Sequence, residues 1–436
     1  MKFGVVSSMH NLSFTFVCIL IVSLCLWRGR NALGNLAVIF GFLFPIDVLE
    51  SVNPLLIDGF RYILALILIM FMRAEPRSRN EMALLATLIL AALNIIAMSR
   101  ALFAERADIA MQSLVGVGAI ILAYFVTKSA FLNRKMLLGF VFGIAWSALD
   151  IILQYSGLAY LGTTSEWGTR YAGLGLNSTN TAPFLAIGLV LVLSNYLWLR
   201  STPVTLLRVS TGLLLAFGLL LSGGRGGIAG LAFAVVIFLF VQLRKHPLLV
   251  LTIGTLGLTW LITSTQQVID FLTRNDSESG FTTGRDVLNA SAWEAFMRGG
   301  AFGIDLSIRS EYRPHTPILS FALNTGVIGF VATIILTGFI VWRLFYTPTR
   351  SPAGGLMIRM ISAVILVTAL LEPWGFYVGL AKGVFLLIVY GSRLDDTKVD
   401  DSRNLMSADF KHRKRHLHKR VVRGGKTGPS PQRWVQ

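Results

Sequence analysis

Phe233-Ala234-Val235-Val236-Ile237-Phe238-Leu239-Phe240 holds no polar residue and no alternation of polarity. A strand of a membrane barrel changes polarity at every second residue, so this run does not read as barrel. Inside lipid only a helix or a closed barrel satisfies the backbone, and the run is therefore read as helix. It belongs to an apolar span near 226–243, long enough to cross a bilayer. Comparable low-charge runs bounded by Arg, Lys, Pro or Gly fall near 9–27, 32–50, 56–72, 81–98, 110–127, 136–156, 181–199, 205–221, 247–264, 317–342, 354–372 and 374–392. The expected fold is all-α and polytopic, with about 12–13 transmembrane helices.

Composition agrees. Of 436 residues, 54% are hydrophobic and 14% charged, against roughly 25% charged in a soluble domain. That contrast excludes a soluble globular enzyme, a disordered chain and a collagen-like fibre. The two cysteines, Cys18 and Cys25, both lie in the first apolar run, without ligand-like spacing to a histidine. Neither a disulfide framework nor a structural zinc site is expected. The first run lacks an Ala-x-Ala cleavage site and is followed by Arg28 and Arg30, so it reads as a retained helix.

Lys and Arg in the loops give the orientation. From Arg393 onward the chain carries twelve basic and five acidic residues, which places the C-terminus in the cytoplasm. Alternation then puts Arg73, Arg77 and Arg79, Lys128, Arg134 and Lys135, Arg200, Arg244 and Lys245, and Arg343 and Arg350 on the same side. The other side, periplasmic in a bacterial inner membrane, receives loops of about 157–180 and 265–316 and the turn Ser222–Gly227. Two regions follow: a transmembrane domain over 1–392 and a basic, disordered cytoplasmic tail over 393–436. Lys411-His412-Arg413-Lys414-Arg415 in that tail has no interleaved aromatic and no surrounding fold. It reads as a topology anchor touching membrane lipids, not as a nucleic-acid site.

Arginines on the outer side run against the positive-inside rule, and Arg170, Arg225, Arg274, Arg285, Arg298, Arg309 and Arg313 all fall there. Singly, each can pair with a local acid such as Asp286, Glu294, Asp305 or Glu311. As a set they suggest an anionic ligand, since Arg binds phosphate through paired hydrogen bonds and stays charged. Arg225 sits in Ser222-Gly223-Gly224-Arg225-Gly226-Gly227, where flanking glycines let backbone N–H groups and one guanidinium approach an anion. It reads equally as a tight turn with a snorkelling Arg. In Gly284-Arg285-Asp286-Val287-Leu288-Asn289-Ala290-Ser291-Ala292-Trp293-Glu294-Ala295-Phe296, the apolar residues Val287, Leu288, Ala292, Trp293 and Phe296 predict an amphipathic helix. Thr282 or Thr283 would cap it, Gly299-Gly300 would end it, and it would lie along the outer membrane surface. Arg285 at its start opposes the macrodipole, which favours a bound anion there. In Arg313-Pro314-His315-Thr316, His315 is the outer-side histidine beside His10, and its side chain takes a proton near neutral pH. A solvated loop histidine is the plainer alternative.

The sequence has no Walker phosphate loop and no His-Glu-x-x-His zinc pattern. No cytoplasmic loop has the size of a nucleotide-binding domain. The energy for an outer-face reaction would then reside in the substrate, as in a lipid-linked diphosphate.

These residues resemble the O-antigen ligase and polymerase superfamily of bacterial envelope glycan assembly. Ser222-Gly223-Gly224-Arg225-Gly226-Gly227-Ile228-Ala229-Gly230 is similar to the family's Ser-Arg-Gly-Gly segment, with an inserted glycine pair. Gly284-Arg285, Trp293 and Phe302-Gly303-Ile304 are similar to its Gly-Arg…Trp…Gly-x-Gly stretch, with Asp305 in place of the last glycine. His315-Thr316 with Gly326-Val327-Ile328-Gly329 resembles its His-Asn/Ser/Gln-x9-Gly-x-x-Gly signature, with Thr316 departing from it. Arg170-Tyr171-Ala172-Gly173, Asn177 and Asn180-Thr181-Ala182 look like its earlier outer loop. The likeness covers about 170–330, with the periplasmic loop at 265–316.

The resemblance implies a GT-C-like glycosyltransferase of the inner membrane that uses an undecaprenyl-diphosphate-linked oligosaccharide donor, without metal or other cofactor. It implies that Arg225 and Arg285 stabilise the leaving diphosphate and that His315 takes or orients the acceptor hydroxyl proton. Arg170, Arg309 and Arg313 are further candidate substrate contacts. The expected reaction is polymerisation of exopolysaccharide or O-antigen repeat units, the alternative being ligation of glycan to lipid A core. Other envelope-glycan assembly proteins are possible partners. A multi-span transporter is the rival class, for which Asp150 and Lys382 would be the intramembrane charges.

Overall fold

The computed structural model describes residues 32–47, 54–71, 81–158, 171–175, 178–194, 202–243, 285–312, 314–347, 352–372 and 379–391, with isolated positions between them. The described residues contain no β-strand. The helices are α1 (Ala32–Phe42), α2 (Pro54–Phe71), α3 (Glu81–Phe103), α4 (Ala107–Val126), α5 (Ala130–Tyr155), α6 (Ser178–Leu193), α7 (Thr202–Ser222), α8 (Arg225–Leu243), α9 (Arg285–Gly299), α10 (Pro317–Phe345), α11 (Pro352–Leu371) and α12 (Leu380–Gly391). Seven of them (α3, α4, α5, α7, α8, α10 and α11) are long and apolar enough to cross a membrane, and α1, α6 and α12 are shorter apolar helices. The chain is an all-α polytopic membrane protein. Most of the expected 9–27 and 247–264 spans lies outside the described residues, as do the tail, Cys18, Cys25, Arg170, Asn177, Arg274, Thr282, Thr283 and Arg313.

Local chemistry moves some boundaries. Helix α5 starts six residues before the expected 136, because the Ser129 hydroxyl accepts the Leu132 N–H at 3.4 Å and caps it. The helix therefore runs through Arg134 and Lys135, which hydropathy alone assigns to a loop. Helix α12 starts at Leu380, immediately after Gly379 in a left-handed conformation (φ +91°), and residues 373–376 of the expected span lie outside the described residues.

Glycine brings backbones together where apolar side chains alone gain little from association in lipid. A Cβ on Gly139 or Gly143 of α5 would overlap the carbonyls of Val38 or Phe42 on α1, and one on Gly41 would overlap that of Met136. Helix α6 is buried along nearly its whole length and contacts α5, α7, α8 and α11. On α7, by contrast, Leu206, Leu213 and Leu220 recur at heptad spacing and are 72%, 68% and 60% exposed. That stripe is turned away from the packed helices.

Upper, below, means the end at which α6, α8, α10 and α12 begin and α3, α5, α7 and α11 finish. At the opposite end arginines satisfy helix C-terminal carbonyls. Arg208 donates to Val192 O (2.6 Å) and Leu193 O (3.0 Å) of α6, and Arg359 donates to Phe345 O of α10 (3.1 Å). Arg343 donates to the Tyr390 carbonyl. These are the positions where four carbonyls per helix lack intrahelical donors.

Candidate functional site

Two packed groups of residues occupy the upper end. The first is built on the turn between α7 and α8. Gly223 has φ +59°, and the Ser222 hydroxyl donates to Leu219 O (2.7 Å) while accepting the Gly224 N–H (3.4 Å). The next glycines are there for proximity. A Cβ on Gly224 or Gly227 would overlap Ala182 of α6, and one on Gly230 would press on Val364 of α11 at 3.2 Å. Ser178 and Ala182, one turn apart on α6, are thus the surface on which the glycine turn sits, and Thr181 beside them is fixed by its hydroxyl to Ala172 O (2.8 Å). Arg225 opens α8 from this turn, partly buried, with Nε and Nη2 withdrawn from solvent.

Charges missing from the sequence-derived site lie at the same end of the bundle, and one of them adjoins the turn. Glu372, just past α11, is buried, and its Oε1 lies 3.0 Å from where a Gly226 Cβ would stand. Lys382, in the first turn of α12, donates to Asn180 Oδ1 (3.1 Å) and interacts electrostatically with Asp47 and Glu372. Asp47 pairs with the buried Arg61 of α2 at 3.1 Å and donates its N–H to Leu174 O (2.8 Å). Arg61 also donates to Asp58 (2.7 Å), Leu43 O (3.0 Å) and the Ile46 carbonyl. A charge within an apolar run was the available signal for Arg61, because such groups are costly in lipid. Asp150, the other intramembrane charge noted from sequence, is buried and accepts from Gln154 at 2.8 Å.

The second group is built on α9 and the start of α10. Helix α9 forms where predicted and ends at Gly299, followed by Gly300 at φ +69°. Its packed stripe is Ala292, Ala295 and Phe296, set against Ile304, Leu319, Ala322 and Leu323. Val287 and Trp293, assigned to the apolar face from their spacing, are exposed instead. They lie off the stripe by about one residue's rotation, roughly 100°. Trp293 still meets Phe296 (5.5 Å) and Phe330 (5.7 Å) at its flank. Arg285 is the first residue of α9, one turn before Asn289, and Asn289 Oδ1 accepts the His315 N–H at 2.8 Å. The helix that Arg285 opens therefore holds the backbone of His315. The His315 ring is partly buried, with Nδ1 sealed from solvent.

Next in the chain, Thr316 caps α10 by accepting the Leu319 N–H (3.4 Å), ahead of Pro317 at the first helical position. Helix α10 then breaks at Gly326 (φ +70°, ψ −149°), so that Gly329 comes against the Phe321 carbonyl. Gly303 (φ +89°) fits against Leu323 O and Gly326 N, and a Cβ on either Gly303 or Gly326 would overlap the opposing backbone. These glycines of the second and third motifs meet in space. Asp305 is exposed and accepts the Ser307 N–H (2.9 Å), and hydrogen bonds from Ser307 hold its carboxyl below the usual carboxylate range.

Three arginines clamp this loop. Arg100 of α3 donates to Ile304 O (2.6 Å) and to the Asn324 carbonyl. Arg106 donates to Leu306 O (2.9 Å) while chelating Asp108. Arg309 donates to Asn324 Oδ1 (2.7 Å) and Tyr312 O (2.5 Å), and burial lowers its pKa from the ordinary guanidinium value. Arg309, a candidate substrate contact from sequence, thus has a loop-holding role. Arg100 and Arg106 follow the 81–98 run and lie at the same end of the bundle as Arg309; their place just past an apolar run is the sequence signal for them. Arg298 pairs with Glu294 at 3.1 Å on the exposed side of α9. The two groups share one end of the bundle, with α11 packed against both α8 and α10. Among the described residues no cluster of three or more His, Cys, Asp and Glu suits a metal ion. Neither a protein-family model nor a curated protein matches this sequence.

Proposed function

We propose that the protein is a metal-independent glycosyltransferase of the bacterial inner membrane. It takes an undecaprenyl-diphosphate-linked glycan at the periplasmic face and polymerises exopolysaccharide or O-antigen repeat units. The observation that carries this reading is the hydrogen bond from His315 N–H to Asn289, which couples the helix opened by Arg285 to a side chain suited to move a proton near neutral pH. Support also comes from Arg225, which opens α8 at the same upper end of the bundle as His315.

In the reaction, the acceptor hydroxyl oxygen bonds to the anomeric carbon of the donor sugar. The bond from that carbon to the diphosphate oxygen breaks, and undecaprenyl diphosphate leaves with the electron pair. The hydroxyl proton passes to His315. Guanidinium groups at 225 and 285 stabilise the charge growing on the leaving group.

Ligation to lipid A core is the second reading, and the role of Thr316 leaves it open. Thr316 acts as a helix cap, work that Asn or Ser also does, so its departure from the family signature does not favour polymerisation. In cells that make surface glycan, His315→Ala and Arg285→Ala abolish polymer while the protein stays in the membrane. Wild-type long-chain glycan in both variants overturns the enzyme reading. In a deletion strain, accumulated single repeat units identify a polymerase, and lipid-linked long chains beside bare lipid A core identify a ligase.

A further inference from the structure

The face of α9 that packs on α10 changes chemistry along its length. Phe296 and Ala292 belong to the apolar cluster with Leu319, Ala322 and Leu323 of α10. Asn289, three residues before Ala292 and so on the same face, accepts the His315 N–H just ahead of α10. Arg285, four residues before Asn289, carries that face about 6 Å further along the axis, to the start of α9. The bond to His315 also fixes how the Asn289 carboxamide is turned. Only the amide oxygen accepts an N–H, so Oδ1 is committed to His315 and Nδ2, with its two donors, is turned away from that contact. Asn289 is half-buried, and among the described residues its Nδ2 donates to no group. Holding a backbone N–H calls for an acceptor alone. The donor half of the side chain is surplus to that task.

We propose that Asn289 is a sugar-binding residue, whose Nδ2 donates a hydrogen bond to a hydroxyl oxygen of the sugar being transferred. The inference rests on the glycosyltransferase reading and deepens it. In that reading the leaving diphosphate is held at Arg285 and the acceptor hydroxyl at His315. The anomeric carbon is bonded to the first before transfer and to the second after it, so the ring that carries this carbon lies between the two groups. Asn289 stands between Arg285 and the His315 backbone on α9. An amide aimed at one ring hydroxyl selects the sugar, because an analogue without that hydroxyl leaves the amide unpaired.

The test is kcat/KM of the full-length protein in detergent micelles for undecaprenyl-diphosphate-linked repeat units whose first sugar lacks one hydroxyl at a time. A matching glycan acceptor is present, and the melting temperature of each variant checks folding. The wild-type protein loses roughly tenfold on one of these deoxy substrates, the size of one hydrogen bond. In Asn289→Ala that loss disappears, because the partner of the hydroxyl is already gone. If Asn289 only holds the His315 backbone, Asn289→Ala slows all substrates by one factor and the deoxy loss keeps its wild-type size. That result overturns the proposal, and wild-type indifference to every deoxy substrate overturns it equally. If Asn289→Ala is not recovered folded, Asn289→Ser decides by the same criterion, since its hydroxyl still accepts an N–H but brings no amide to the sugar. Failure of the wild-type protein to use any undecaprenyl-diphosphate-linked repeat unit counts against the glycosyltransferase reading itself. Turnover with equal deoxy losses in wild type and variant removes only the Asn289 assignment.

Discussion

Gly326 shows what one residue does here. Its left-handed φ breaks α10, and the absence of a side chain lets the backbone at Ala301 and Gly303 close on it. Gly326→Ala strains the backbone and also forces it apart. We expect a loss of about 1–3 kcal/mol in detergent-solubilised unfolding, and an unchanged midpoint contradicts the tight contact. Arg100 is the second case. Arg100→Met removes two charged hydrogen bonds and leaves the Ile304 and Asn324 carbonyls without that donor, a cost of about 2 kcal/mol. Its expected signature is local: faster amide exchange over 303–312, with α7 and α8 unchanged. Exchange that rises evenly along the chain points instead to general destabilisation.

Among elements, the start of α10 links local helix chemistry to the site. Thr316 caps the helix, and the residue before it is His315. Thr316→Ala should cost about 1 kcal/mol, and Thr316→Asn should restore stability because both side chains accept the same N–H. Thermal melts of the two variants check this, and equal melting of Ala and Asn contradicts the cap. Helices were legible where a bilayer-length run stood between charges, as for α3, α4 and α10. They were less so where a cap or a left-handed glycine set the boundary, as at Ser129 and Gly379. The amphipathic α9 was legible as a helix but not in its packed face, since Val287 and Trp293 share the spacing of the stripe without lying on it. The Asn289 contact with His315 spans 26 residues and joins a side chain to a backbone N–H, which no local pattern encodes.

For the whole molecule, loops assigned to one side by alternation meet at one end of the bundle. The 171–175 segment, the glycine turn, the clamped loop and the start of α10 are all upper; Lys128, Arg208 and Arg343 are at the other end. Arg225, Arg285 and His315 could be singled out because they break regularities of composition and topology. Glu372, Asp47 and Asn180 could not, because each is an ordinary residue near a helix end until the fold brings it to Lys382 or the turn. Orientation is tested by single cysteines in a Cys18→Ser, Cys25→Ser background. Ser307→Cys should react with a membrane-impermeant maleimide in intact cells, and Tyr346→Cys only after permeabilisation. The reverse pattern places the site on the cytoplasmic side.

The central claim is transfer from a lipid diphosphate without metal, and a reconstituted assay tests it most directly. Purified protein is given an undecaprenyl-diphosphate-linked repeat unit and a matching glycan acceptor in the presence of EDTA. The wild-type protein should lengthen the glycan and release undecaprenyl diphosphate, and His315→Ala should slow both by roughly 100-fold or more, as expected for loss of a general base. Release that requires a divalent cation, or that proceeds equally fast without His315, contradicts the account.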